Sequence, residues 1–166
     1  MLFWQRQLDR FSLFLGRLSA ALMLLMLLNV FYDVVARYFF KSSSIGMQEL
    51  EWHFFSSMFM LGIAYTLHAE GHVRVDIFYE KWSEKTRAIV DIVGVVVFLL
   101  PFCGLILWYG HGFALESFRL GETSGDPGGL PYRWIIKSMI PASACCLALS
   151  GIGLLLKDLI KLSQSS

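Results

Sequence analysis

The chain has 166 residues, of which 56% are hydrophobic, 15% aromatic and only 16% charged, with a formal net charge of +1. Soluble domains carry about 25% charged residues, so most of this surface is suited to lipid. Four bilayer spans of about 20 residues nearly use up the length. That leaves no room for a separate catalytic domain, and the near-neutral charge offers no footing for nucleic acid.

Ahead of the first span, Leu2, Phe3, Trp4, Leu8, Phe11 and Leu15 mix with Arg6, Asp9 and Arg10. This mixture suits either an amphipathic helix lying at the membrane surface or a plain extension of the first span. That span is predicted at residues 18–37, around the Leu/Met run from Ala20 to Leu28. Its apolarity continues into Phe31, Val34 and Val35 without a small-residue cleavage site, which favours a retained helix over a signal peptide. Further spans are predicted at residues 52–67, 88–109 and 135–156. Backbone groups cannot go unpaired in lipid and these runs are too long for barrel strands, so each is a helix. The expected fold is an all-α integral membrane protein, with residues 1–166 forming a single four-helix domain.

Nine of the fourteen Lys and Arg residues fall before the first span, between the second and third, or after the fourth. Basic residues are retained in the cytoplasm, so both termini are predicted there.

The polar residues cluster at helix ends. Asp33 and Arg37 stand four apart on one helix face and suit an ion pair. Glu49 and Glu51, followed by Trp52, open the return into the second helix, so Arg37 has an alternative partner across the hairpin. Between the second and third spans lies the only strongly charged internal loop, with Gly71-His72-Val73-Arg74-Val75-Asp76 at its head. Between the third and fourth, Asp126-Pro127-Gly128-Gly129-Leu130-Pro131-Tyr132-Arg133-Trp134 reads as a tight turn followed by a helix start, with Pro131 suited to the first turn and Tyr132 and Trp134 to the interface. The paired glycines lack the Lys and Ser/Thr of a phosphate loop. This segment either positions the fourth helix or docks an external partner.

Other residues carry weaker signals. His68 and His72 flank Glu70 without the order of a zinc protease motif, and His53 with His111 suit a haem only if both rings face one cofactor. Cys103, Cys145 and Cys146 lie inside spans as small apolar packing residues. In the fourth helix Ala142, Cys146 and Ser150 form one small-residue row and Ala144 and Ala148 a second, which lets another helix approach closely, within this bundle or from another subunit. Pro101 and Pro141 are candidate kink sites.

The four spans, the segment Asp33 to Tyr38, the run Glu49-Leu50-Glu51-Trp52, the Gly71 to Asp76 motif and the Asp126 to Trp134 motif together resemble the small membrane (Q-type, DctQ-like) subunit of a tripartite ATP-independent periplasmic (TRAP) transporter. The resemblance runs from the first helix to the fourth. It implies an inner-membrane complex of bacteria or archaea in which a periplasmic binding protein captures an organic anion and a larger permease moves it with Na⁺. This chain is then the scaffold of that permease, with no enzymatic activity, no cofactor or metal of its own, and substrate and Na⁺ sites on the large subunit. Its expected partners are the large permease, the periplasmic binding protein and membrane lipids. Asp33, Arg37, Glu49, Glu51, Trp52, Gly71, His72, Arg74 and Asp76 are candidates for structure or the subunit interface. Asp126, Pro127, Gly128, Gly129, Tyr132 and Arg133 are candidates for an external docking loop. Two other classes are a haem-binding anchor of a respiratory complex, which requires bound haem, and a small self-assembling exporter, which requires transport by this chain alone.

Overall fold

The structure, a computed structural model, describes residues 2–69 and 82–164. Among them all regular structure is helical: α1 (Leu2–Phe40), α2 (Ile45–His68), α3 (Glu84–Arg119) and α4 (Trp134–Gln164). Each outruns its predicted span at one end or both. Within α3, residues Gly94–Leu99 form a π-helical stretch, and the Leu100 N–H closes onto the Val95 carbonyl. Pro101 follows directly and has no N–H for the ordinary ladder.

Three helices, rather than the four expected, are long and apolar enough to cross a membrane: Leu2–Phe40, Glu84–Arg119 and Trp134–Ser163. The exception is α2, which covers the expected second span and has 24 residues. Gln48, Glu49, Glu51 and His53 crowd its opening turns and His68 closes it, so its composition fails where its length does not.

The two readings of the N-terminus are separated by α1, which is one unbroken helix of 39 residues. At 1.5 Å per residue it is about 58 Å long, roughly twice the hydrocarbon thickness. The N-terminal segment is therefore an extension of the first helix and not a separate surface helix. Part of its apolar side is taken up inside the protein, with Leu2, Phe3 and Trp4 left exposed: Leu15 is buried with Leu61 and Ala64 of α2, and Phe11, Met139 and Cys146 pack around them. Ser12 is buried too, and its hydroxyl pairs with that of Ser150 on α4 at 2.7 Å. One turn earlier Leu8 sits against Gly153, where an added Cβ would lie 3.2 Å from the Leu8 Cβ. These contacts place both ends of the chain at one end of the bundle.

Along their length α1 and α2 are joined by small and polar residues. Asn29 Nδ2 donates to the Met47 carbonyl at 2.8 Å, and Ser19 Oγ to that of Met58 at 2.7 Å. At Gly16 a Cβ would stand 2.6 Å from the Tyr65 ring, so only glycine admits that ring. At the terminal end His68 Nδ1 lies 3.3 Å from the Asp9 carboxylate. Lipid tails are as apolar as Leu, so association in a bilayer relies on such close approach and hydrogen bonding rather than on burying Leu and Phe.

All three partners pack on α4, whereas α3 leans mainly on α4. The small-residue rows of α4 are used within the chain: Ala144 and Ser150 are buried, and Gly151 leaves room for Leu99 of α3. Cys103, Cys145 and Cys146 are all free thiols. Only 11%, 11% and 22% of the most apolar windows of α1, α3 and α4 are buried, so much of each spanning helix faces outward.

Candidate functional site

The connections at the hairpin end set the geometry of a polar assembly that draws on α2 and the α3–α4 loop together. After α1, Lys41 turns left-handed at φ 51°, and Ser44 caps α2 by accepting the Met47 N–H. After α3, Gly121 takes φ 58°, its N–H bonds the Phe118 carbonyl, and the next N–H, from Glu122, reaches back to Ser117. This pair of bonds is the Schellman stop, which favours glycine at the left-handed position. The chain then runs back toward α2 as a compact loop. The Ser124 N–H bonds the Leu130 carbonyl, the Gly129 N–H that of Asp126, and the Arg133 N–H that of Glu122.

Glu49 of α2 is the latch of this loop. Its Oε1 accepts from the Ser124 hydroxyl, and its Oε2 accepts the Leu130 N–H at 2.6 Å. The Ser124 Oγ also accepts the Asp126 N–H, an ordinary Ser turn. These donors, Ser124 first and Leu130 second, hold the Glu49 carboxyl below its usual value, and Arg133 and His53 add to the effect. Gly129 has no freedom to carry a side chain: a Cβ there would meet Ser124 Cβ and Oγ at 2.5 Å and Glu49 Oε2 at 2.9 Å. At Gly128 the backbone is left-handed, φ 84°, and its carbonyl lies against Gly46 of α2.

A second tie secures the start of α4. Glu122 pairs with Lys137, which lowers the Glu122 carboxyl, and the Lys137 ammonium lies 4.1 Å from the Phe113 ring centre. Phe118 and Trp134 stack edge to face at 5.3 Å. The helix begins at Trp134, three residues after Pro131, because Tyr132 adopts φ 61° in between; Pro131 therefore belongs to the loop and not to the first helical turn.

Between latch and loop lies a cleft of about 370 Å³ lined by Ile45, Gln48, Glu49, Trp52, His53, Asp126 and Arg133. The Arg133 Nε is buried within the protein without a hydrogen-bond partner. The Trp52 ring is 67% exposed beside it, edge to face with Phe55.

The sequence-predicted residues thus separate. Glu49, Trp52, Asp126 and Arg133 line the cleft, Gly128 and Gly129 shape its loop, and Pro127 and Tyr132 are exposed on it. Arg37 pairs with Asp33 one turn back on α1, the first of its two expected options, and does not cross to Glu49 or Glu51. Asp33 is buried and its Oδ1 has no partner, while Glu51 is outside the cleft lining. Gly71, His72, Arg74 and Asp76 lie outside the described residues. His53 donates to the Glu49 carbonyl through Nδ1 and lines the cleft, whereas His111 lines a separate groove on α3 with Trp108 and two glycines. The two rings do not share a cavity, and among the described residues no group of three His, Cys, Asp or Glu could hold a metal ion. Sequence reasoning missed Ser124, Leu130, Glu122 and Lys137. Only Ser124, two residues before Asp126 in a turn, carries a local signal.

No curated protein sequence matches this chain. The family described as "Tripartite ATP-independent periplasmic transporters, DctQ component" matches residues 26–161, which takes in the C-terminal part of α1, all of α2, α3 and the latch loop, and most of α4. With that span matched, the chain belongs to the DctQ component family of TRAP transporters, a family of transporter components and not of enzymes.

Proposed function

We propose that this chain scaffolds the large permease of a TRAP transporter, which takes up an organic anion together with Na⁺ from a periplasmic binding protein. The family match over residues 26–161 carries the reading. The bundle supports it in two ways. Among the described residues no helix is broken as those that build a substrate site at mid-membrane are, the π-helical stretch in α3 leaving that helix continuous. Its spanning helices also keep most of their apolar surface outward, available to lipid and to a membrane partner.

In this reading residues 1–166 form a single helical domain in the inner membrane. Both chain ends lie at the cytoplasmic end of the bundle, in line with the distribution of basic residues. The hairpin end then faces the periplasm, and the latched loop of Asp126, Pro127, Gly128, Gly129, Tyr132 and Arg133 is a preformed docking platform for the binding protein. Asp33 and Arg37 stiffen the end of α1. Na⁺ and substrate sites belong to the large subunit.

Affinity purification of the tagged chain from its native membrane in mild detergent tests the reading, with mass spectrometry of what co-purifies and an absorption spectrum of the same sample. A multi-span permease in near-equal amount is the expected result. Recovery of the chain alone, or with a haem-bearing redox partner and a Soret band, overturns it.

A further inference from the structure

We propose that the cleft between α2 and the α3–α4 loop seats the headgroup of a zwitterionic phospholipid, with its phosphate on Arg133 and its ammonium toward Asp126. The proposal goes beyond the scaffold reading and rests only on the chain lying in a membrane.

Three observations converge on it. The first is unspent charge. Arg133 and Asp126 both line the cleft, and among the described residues neither is in a salt bridge. A guanidinium without a carboxylate partner is suited to a phosphate, whose oxygens match its planar fork. The second is mixed sign. Glu49 also lines the cleft, but both its oxygens are already engaged by Ser124 and Leu130. Two carboxylates beside one arginine repel a simple anion, whereas a headgroup with phosphate and ammonium a few ångströms apart satisfies both signs. The third is depth. Arg133 immediately precedes Trp134, the first residue of the apolar α4 span, which is where headgroups lie. The exposed Trp52 ring forms the neighbouring wall, in the position favoured by interfacial aromatic residues, and the exposed Ile45 side chain adds an apolar edge along which an acyl chain can leave. The cleft, about 370 Å³, has room for a phosphoethanolamine group.

The test is native mass spectrometry of the full chain, in the complex it purifies with, after exchange into detergent containing phosphatidylethanolamine, phosphatidylglycerol or neither. The wild-type protein retains phosphatidylethanolamine in preference to phosphatidylglycerol, whose headgroup has a phosphate but no ammonium. Arg133→Gln weakens retention of phosphatidylethanolamine about tenfold, the scale of one charge-assisted contact. Asp126→Asn narrows the preference between the two lipids. Equal retention of both lipids by the wild-type protein overturns the proposal without any variant, so it stays falsifiable even where Arg133→Gln fails to fold. It is also overturned by unchanged retention in a folded Arg133→Gln protein. Protection by millimolar inorganic phosphate in lipid-free samples equal to that by phosphatidylethanolamine assigns the cleft to free phosphate instead. Loss of a co-purifying binding protein in Arg133→Gln, with lipid retention intact, assigns it to a protein contact. Co-purification of the large permease is read from the same spectra, so failure of the scaffold reading is seen separately.

Discussion

Gly129→Ala is the sharpest probe of the latch. The new methyl would stand 2.5 Å from Ser124 Cβ and Oγ and 2.9 Å from Glu49 Oε2, inside any tolerable contact. Ser124 has little freedom to retreat: its hydroxyl donates to Glu49 and accepts from Asp126, and its N–H is bonded to the Leu130 carbonyl. Overpacking of a fixed site costs about 1–3 kcal/mol. The middle of that range, about 2 kcal/mol, raises the open population of the loop about 30-fold. Hydrogen–deuterium exchange with mass spectrometry, followed on the peptide containing Leu130, reads this directly because that amide is bonded to Glu49. Gly125→Ala is the control within the same loop, since a Cβ there meets nothing within 4 Å. Exchange in Gly129→Ala no faster than in the wild-type protein or in Gly125→Ala would refute the latch.

Two further outcomes follow from the charged groups. Because Glu49 ionises below its ordinary 4.5 in the folded protein, its contribution is fully present above that value and is lost as the pH falls through the lower folded value. The melting temperatures of wild-type protein and Glu49→Gln should therefore differ by a constant amount near about pH 7 and converge as the pH falls through the lowered folded value; a gap that persists in acid contradicts the assignment. In α1, Arg37 is half-exposed while the Asp33 side chain is 7% exposed, so Arg37→Ala strands a buried carboxylate. After allowance for solvent at Arg37, the loss is about 1–3 kcal/mol. Asp33→Asn in the same chain should restore most of it, as a double-mutant cycle by thermal melting will show.

Much of the fold was legible in the chain because membrane helices are local objects. Apolar runs of sufficient length, with no water to satisfy an open backbone, dictate helices near 18–37, 88–109 and 135–156 from composition alone. The second helix shows where this reasoning fails. Its Glu and His residues keep it below the apolarity of a spanning helix, yet Asn29, Ser19 and Gly16 hold it along α1. Those contacts depend on which helix faces come together, which no window along the chain contains.

The candidate site divides in the same way. Asp33 with Arg37 was readable from four-residue spacing, and the glycines of the loop from turn chemistry. The latch was not readable, because Glu49 and Ser124 are 75 residues apart and Glu49 and Leu130 are 81 apart. Nor could the sequence decide whether Leu8, Phe11 and Leu15 face lipid or protein, since an amphipathic stripe states only that one side is apolar. By itself the sequence determined helical character and the Asp33–Arg37 pair one turn apart, since each depends on neighbours in the chain. Only the tertiary structure decided that α1 continues straight into the bundle, that Arg37 stays on its own helix, and that Glu49 closes the far loop through Ser124 and Leu130, since these depend on which surfaces meet.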